Sequence, residues 1–358
     1  MPMLAENRIR VAIIGAGKFG IRRATAIAAN PHSTIDVVAD QVPEAARRLA
    51  GSIGCSHSAN WEETVMRDDI DAVVVSTPTR FLPVVTLKAL AAGKHVLCEK
   101  PFGRSADEVL PTVEEAAKRK LCLKVGYNHR YHPAIARAHA LFTEGAIGAV
   151  LFLRCLYGHG GRPGYEREWR TQASLSGGGQ LLDQGVHALD LFEWFAGSFQ
   201  EAIGFVTTAF WPIAPCEDNA FALLRTAGGC VAQLHASWTN WKNVFVFEVF
   251  GESGSLAVSG LGGNYGPERL CFAARHASGA PPEEHWFEFP DEDHSLEYEW
   301  SDFLQCIAEG QEPPSSGRQA LQTLRLVEAI HKSDPNGCAS RVASMATGAA
   351  GRVGLSKV

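Results

Sequence analysis

The stretch Val11-Ala-Ile-Ile-Gly15-Ala16-Gly17-Lys18-Phe19-Gly20 couples a short apolar run to a G-x-G-x-x-G turn, and an amphipathic pattern follows at once. Few architectures accommodate a buried strand that ends in such a turn and passes directly into a helix. Gly15 suits the tight turn, Gly17 leaves the backbone open to a pyrophosphate, and Gly20 lets the helix lie close to the strand. The unpaired N–H groups at the start of that helix then face the phosphates. Twenty residues beyond Gly20 a second apolar run, Thr34 to Ala39, ends in Asp40, where such folds place a carboxylate against an adenosine ribose. The spacing predicts a nicotinamide dinucleotide site. NAD is favoured because Asp40 would repel the 2′-phosphate of NADP. NADP stays open because Arg22, Arg23, Arg47 and Arg48 are near in sequence. The plainer alternative is a glycine-rich turn without a ligand, and the spacing to Asp40 weighs against it.

The first 126 residues continue the same grammar. Apolar runs at Val11–Ile14, Ile35–Ala39, Ala72–Ser76, His95–Cys98 and Leu121–Val125 are separated by helical patterns at Pro43–Ala50, Trp61–Met66, Leu82–Ala92 and Ala106–Lys120. This predicts an α/β unit, an N-terminal Rossmann doubly wound parallel sheet. After Gly126 one helix (Pro133–Glu144) precedes strand-like runs in succession, at Val150–Tyr157, Ala202–Phe210, Asn219–Thr226, Cys230–Trp238, Val244–Phe250, Ser255–Val258 and Trp286–Phe289. Strands in series imply a large, mostly antiparallel sheet, so the second domain is expected to be α+β, with helices at Leu296–Glu309 and Arg318–Lys332. The expected division is 1–126 for dinucleotide binding, 127–333 for substrate binding and oligomerisation, and 334–358 as a tail rich in Ala, Gly and Ser with no catalytic role.

A length of 358 residues supports two domains, and 46% hydrophobic with 20% charged residues is ordinary for a water-soluble protein. No apolar run approaches a membrane span, and the residues before the first strand lack an apolar signal core, so neither membrane nor secretion is expected. A net charge of −6 gives no footprint for nucleic acid. Nine cysteines without C-x-x-C spacing read as reduced thiols, which places the chain in a cytoplasm.

Two further constellations point from cofactor binding to catalysis. Ala92-Gly-Lys-His-Val-Leu-Cys-Glu99-Lys100-Pro101 is a strand whose C-terminal end delivers Glu99 and Lys100, and ligands in doubly wound sheets bind outside those ends. A surface lysine before a proline is the bland alternative. Gly177-Gly-Gly-Gln-Leu-Leu-Asp183-Gln-Gly-Val-His187-Ala-Leu-Asp190 leads into a helix on which Asp183, His187 and Asp190 recur at i, i+4 and i+7 on one face. Such a stripe is costly in an apolar helix unless each group has a partner. A satisfied buried network, an acid–base pair and a metal site all fit that stripe. Metal is the weakest of the three, since His159 and His235 belong to no ligand spacing, and no metal is expected.

In these three motifs, taken in order, the chain resembles the glucose-fructose oxidoreductase, inositol dehydrogenase and MocA (Gfo/Idh/MocA) family over about residues 8 to 332. The resemblance implies a catalytic set of Lys100, Asp183 and His187, with the backbone at Thr77-Pro78 lining the cofactor. One departure is the turn Arg80-Phe-Leu82, which lacks the histidine that many members carry there. The resemblance also implies an open second-domain sheet used in subunit contacts, hence a homodimer or homotetramer. Some members use transient oxidation to cleave a glycosidic bond without net redox change, and a dinucleotide-binding regulator without turnover is a third reading.

Hydride transfer from a carbinol carbon requires that the hydroxyl proton leave as well. A histidine suits that task, so His187 is the expected base, Asp183 its orienter or a substrate anchor, and Lys100 a donor to the developing alkoxide. For a small polar substrate, a sugar, cyclitol or nucleotide-linked sugar, Tyr127, Arg130, Arg162, Tyr165, Trp169 and Arg170 are further candidates, because they flank the crevice in sequence. Solvated arginines on a glycine-rich loop are the plainer reading of several of them.

Overall fold

A computed structural model describes residues 8–333 and 340–342. The chain opens with β1 (Ile9–Ile14), α1 (Lys18–Ala28), β2 (Ser33–Ala39), α2 (Pro43–Ile53), β3 (Ser56–Ser58), α3 (Trp61–Val65), β4 (Ala72–Val75), α4 (Leu82–Ala91), β5 (His95–Cys98), α5 (Ala106–Arg119) and β6 (Leu123–Val125). These six strands form one sheet in the order β3-β2-β1-β4-β5-β6, and every pair in it is parallel. Residues of β1 show why it is buried on both faces. Ala12 and Ile14 belong to one core cluster, while Val11 and Ile13 belong to another. A strand that is apolar on both sides needs helices on both sides, and the crossovers supply them.

The second half comprises α6 (Pro133–Thr143), β7 (Val150–Gly158), α7 (Ala173–Ser176), α8 (Val186–Ala196) and the strands β8 (Phe199–Thr207), β9 (Asn219–Thr226), β10 (Val231–Ser237), β11 (Val244–Gly251), β12 (Gly254–Ser259), β13 (Glu268–Ala274) and β14 (Glu284–Phe289). Helices α9 (Ser295–Glu309) and α10 (Gly317–Ser333) follow, and the short β15 (Ser340–Arg341) pairs antiparallel with β8. The nine strands run β14-β13-β12-β11-β7-β10-β9-β8-β15, antiparallel except for β7 with β10. Strict alternation fixes the faces. In β9, Ala220, Ala222 and Leu224 point into the core, while Phe221 and Leu223 are about half exposed on the other side.

Helix α9 does not stay with the second sheet. Trp300, Phe303 and Leu304 join the core cluster of β1, β2 and β4, and α9 packs on α1. Helix α10 packs on α5, α8 and β8, so it ties the two sheets together. No helix among the described residues is long and apolar enough to cross a membrane.

Three strands have no counterpart in the sequence pattern, β3, β13 and the two-residue β15. Ser56-His-Ser58 is a polar edge strand, and Glu268–Ala274 carries no clean alternation, with Glu268 buried beside His132. Beyond 340–342, the expected tail at 334–358 lies outside the described residues.

Candidate active site

The C-terminal ends of β1, β2, β4 and β5 meet at one cavity of about 430 Å³. Gly15 takes the tight turn with φ +105°, and a Cβ there would lie 2.5 Å from the Ser76 carbonyl oxygen. At Gly20 a Cβ would fall 1.9 Å from the carbonyl oxygen of Gly15, so only glycine lets α1 sit this close to β1. A Cβ on Gly17 would meet nothing within 4 Å, and Gly17 lines the cavity with Gly15, Lys18 and Phe19. The loop therefore presents bare backbone and the start of α1 to open space, a cradle shaped for a pyrophosphate. Ala16 is buried, and its N–H donates to Asp40 Oδ2 at 2.7 Å. Asp40 Oδ1 accepts from the Val42 N–H at 2.8 Å, so this carboxylate also braces the loop. Thr77 and Pro78 line the cavity beside it. Trp61, Phe81 and Val84, which the sequence reading did not single out, form an apolar wall near Asp40 and Gln41. A dinucleotide fits this lining: bare backbone for phosphates, a carboxylate for a ribose, and an apolar wall for a base.

At the other end of the cavity stand Lys100, Asp183, Trp169 and Arg170. Lys100 Nζ donates to Asp183 Oδ1 at 2.8 Å and to the Asp183 carbonyl oxygen at 2.5 Å. Arg170 Nε lies 3.9 Å from Asp183 Oδ2, and its guanidinium rests over the Trp169 ring. Burial pushes the Asp183 carboxyl up, but Lys100 and Arg170 together outweigh it and hold the group at about 2. His187 is buried behind this pair. Desolvation drives its imidazole well below the usual histidine range, and Lys100 pushes the same way while Asp183 opposes. At neutral pH the ring is uncharged.

The expected α-helical stripe of Asp183, His187 and Asp190 needs correction. Leu181–Gly185 forms a π-helical turn, and α8 begins only at Val186. The wider turn rotates Asp183 toward Lys100, while Asp190 faces the other way and holds Arg130. Glu217 builds this turn: its carboxylate accepts from the N–H groups of Gly179 and Leu181, each at 3.0 Å. A Cβ on Gly179 would lie 1.9 Å from the Glu217 carbonyl oxygen, which accounts for one of the three glycines.

Several of the substrate candidates lie outside the cavity lining. Arg130 is buried outside the cavity lining and gives Nε and Nη2 to Asp190 at 2.8 and 2.6 Å, so it locks α8 to the turn after β6. Tyr127 is wholly buried with its ring edge against His187. Tyr165 packs on Trp238 in a small core with Ile213 and Cys216. Arg162 is exposed and paired with Glu168 outside the cavity. Glu99 borders the cavity, yet its Oε1 accepts from Arg23 Nε at 2.6 Å and is committed to a buried ion pair. Sequence reasoning missed His129, whose ring lies face to face with that of His187, and Tyr157, whose hydroxyl meets His129 Nε2. Among the described residues no group of three or more His, Cys, Asp or Glu is placed to hold a metal ion.

Residues 9–127 match the oxidoreductase family with an NAD-binding Rossmann fold, and residues 135–257 match the GFO/IDH/MocA C-terminal domain. An inositol 2-dehydrogenase of Rhizobium meliloti is 27% identical over 332 residues, covering 91% of this chain and 96% of that protein. A dTDP-3,4-didehydro-2,6-dideoxy-alpha-D-glucose 3-reductase of Streptomyces violaceoruber is 31% identical over 257 residues, which is 70% of this chain and 72% of the other. A solved levoglucosan dehydrogenase in complex with NADH superimposes with a TM-score of 0.86 at 25% identity, covering 95% of this chain and 100% of that chain. With both family domains in tandem and the whole architecture shared, this chain belongs to the Gfo/Idh/MocA family of NAD-binding oxidoreductases.

Proposed function

We propose that this chain is an NAD-dependent dehydrogenase of a neutral cyclic polyol or sugar, with Lys100, Asp183 and His187 as its catalytic residues. The observation that carries the reading is the meeting, in one cavity, of the glycine cradle with the Lys100–Asp183 pair, whose atoms lie 2.8 Å apart. NAD would be held by Gly15, Ala16, Gly17, Lys18 and Phe19 at its phosphates, by Asp40 at a ribose and by Thr77 and Pro78 along its length; when bound it supplies the hydride acceptor. His187, uncharged and buried, takes the substrate hydroxyl proton. Lys100 donates to the same oxygen as negative charge builds there. Asp183 holds the Lys100 ammonium in place through Oδ1, with its Oδ2 turned toward Arg170.

The neutral substrate is supported by how the local cations are spent. Lys100 pairs with Asp183, Arg170 stands between Asp183 and Glu168, and Arg162 pairs with Glu168. The similar inositol 2-dehydrogenase and levoglucosan dehydrogenase carry names of uncharged substrates, which supports the same class. The dTDP-sugar reductase makes a nucleotide-linked sugar the second choice.

We also propose that two copies associate through the open face of the second sheet. Phe152, Phe205, Phe221, Leu223 and Val231 are exposed there on adjacent strands, a contiguous apolar face of the kind that marks an interaction surface. The eight described cysteines are free, as a reducing cytoplasm would keep them.

A screen of myo-inositol, levoglucosan and common hexoses with NAD, following the absorbance of the reduced cofactor, tests the activity. Reduction with a neutral polyol supports the proposal. Release of an aglycone without net reduction would assign glycoside hydrolysis instead, and tight NAD binding with no turnover would assign a regulator.

A further inference from the structure

A histidine that moves protons is ordinarily held in orientation by a hydrogen bond at its other ring nitrogen. His187 has no such holder: its Nδ1 is buried, and no protein group among the described residues bonds it. Two aromatic rings pack on the imidazole. His129 lies face to face with it, centroids 3.7 Å apart and planes 13° apart, and the Tyr127 ring meets it edge-on at 5.8 Å. His129 is itself fixed. Its Nε2 is 3.1 Å from the Tyr157 hydroxyl, and Phe245 and His132 press edges against its ring at 5.9 and 5.6 Å. Tyr157 and Phe245 come from β7 and β11, so the stack is anchored in the second sheet.

We propose that His129 is a positioning residue for His187: its ring, stacked on that imidazole and pinned by Tyr157, sets the plane in which His187 meets the substrate hydroxyl. The inference rests on His187 being the base proposed above. Stacking can take over part of that task because the contact constrains the tilt of the ring, and the accepting lone pair lies in the ring plane. The charged and titratable groups that surround His187 are Lys100 at the end of β5, Asp183 in the π-helical turn, His132 and His129 in the segment after β6, and Arg23 on α1. The neutral state of His187 follows from burial and from the Lys100 and Arg23 charges. Its orientation follows from His129.

The test uses four variants, His129→Leu, His129→Phe, His187→Ala and the His129→Leu/His187→Ala double, all loaded with NAD. The first readout needs no substrate: the imidazole signals of His187 by NMR. In the wild type and in His129→Phe the His187 ring protons carry the shift of a facing ring, and in His129→Leu they lose it. The second readout is turnover of whichever of myo-inositol and levoglucosan reacts faster. His129→Leu should lower kcat by about 10- to 100-fold with KM and NAD affinity within ~3-fold, and His129→Phe should recover most of it. In the His187→Ala background His129→Leu should cost nothing more. An unchanged His187 signal in His129→Leu, an unchanged kcat, or an equal loss in both backgrounds would overturn the inference. Wild-type turnover in His187→Ala would instead overturn the assignment of the base, and the NMR comparison would still decide whether His129 orients the ring.

Discussion

His187 and Asp183 sit within one cluster and both are shifted downward, which leaves the imidazole uncharged and the carboxylate ionised. Burial alone would make both neutral; the Lys100 and Arg170 charges rescue the ionised form of Asp183, which is held at about 2, while Lys100 pushes His187 further toward the uncharged form against the pull of Asp183. The pH dependence follows in sign. Because the folded His187 binds its proton only well below 6.5, the base form persists as pH falls through that value. The profile of kcat/KM is therefore expected to stay flat from pH 8 through about 6.5 and to fall only on more acidic approach, and His187→Ala should lower kcat by roughly 10²- to 10⁴-fold and abolish that limb. Steady-state rates across pH check both. Asp40 carries a second prediction. Its carboxylate braces Ala16 and Val42, and of the nearby arginines Arg23 is buried against Glu99 and Glu299, while Arg22 pairs with Asp293 and Arg47 with Glu44. Asp40→Ser should weaken NAD, since the loop loses a brace, and weaken NADP less, so that the NAD preference in kcat/KM narrows. A wild-type preference for NADP would contradict this reading.

The β1–loop–α1 unit works as one element because its glycines bring backbone against backbone. In Gly20→Ala the new methyl meets the Gly15 carbonyl, which cannot swing aside as a flexible side chain would. Such overpacking costs about 1–3 kcal/mol, and here it displaces the N–H groups that face the phosphates. The expected outcome is a lower melting temperature together with at least ~10-fold weaker NAD binding by calorimetry; strong NAD binding in the variant would show that the cradle does not depend on this contact. Elements of this kind were legible in the sequence because the glycine spacing is a local backbone requirement. So were β2, β4 and β5, whose uninterrupted apolar runs have no other stable place than between two helical layers. The π-helical turn at Leu181–Gly185 was not legible, since its pattern of apolar residues is equally compatible with an α-helix. The ion pair of Arg130 was not legible for a different reason: its partner Asp190 lies 60 residues away, and only the fold brings the two together. His129 stands between the candidates Tyr127 and Arg130, but which ring of that stretch faces His187 depends on the arrival of β7 and β11.

At the scale of the whole molecule the two sheets meet through the site. Lys100 ends β5 of the first sheet, Asp183 leads into a helix that covers the second, and α10 packs against both layers. We take the division near residue 126 as a division of labour, cofactor on one side and substrate on the other, although α9 returns to cover the first sheet. The opposite face of the second sheet carries the association proposed above. Phe205→Asp with Leu223→Asp should convert a dimer or larger assembly to monomer by light scattering while leaving the fold intact, because both side chains point away from the core. The measurement closest to the central claim is the amount of cofactor reduced per enzyme with the best neutral polyol, wild type against Lys100→Met. The account predicts that the wild type continues far beyond one equivalent, and that Lys100→Met loses about 10²- to 10³-fold in kcat with NAD affinity within a few-fold, since the phosphates are held by the glycine loop. Reduction that stops at one equivalent, or a Lys100→Met variant that turns over like the wild type, would contradict it.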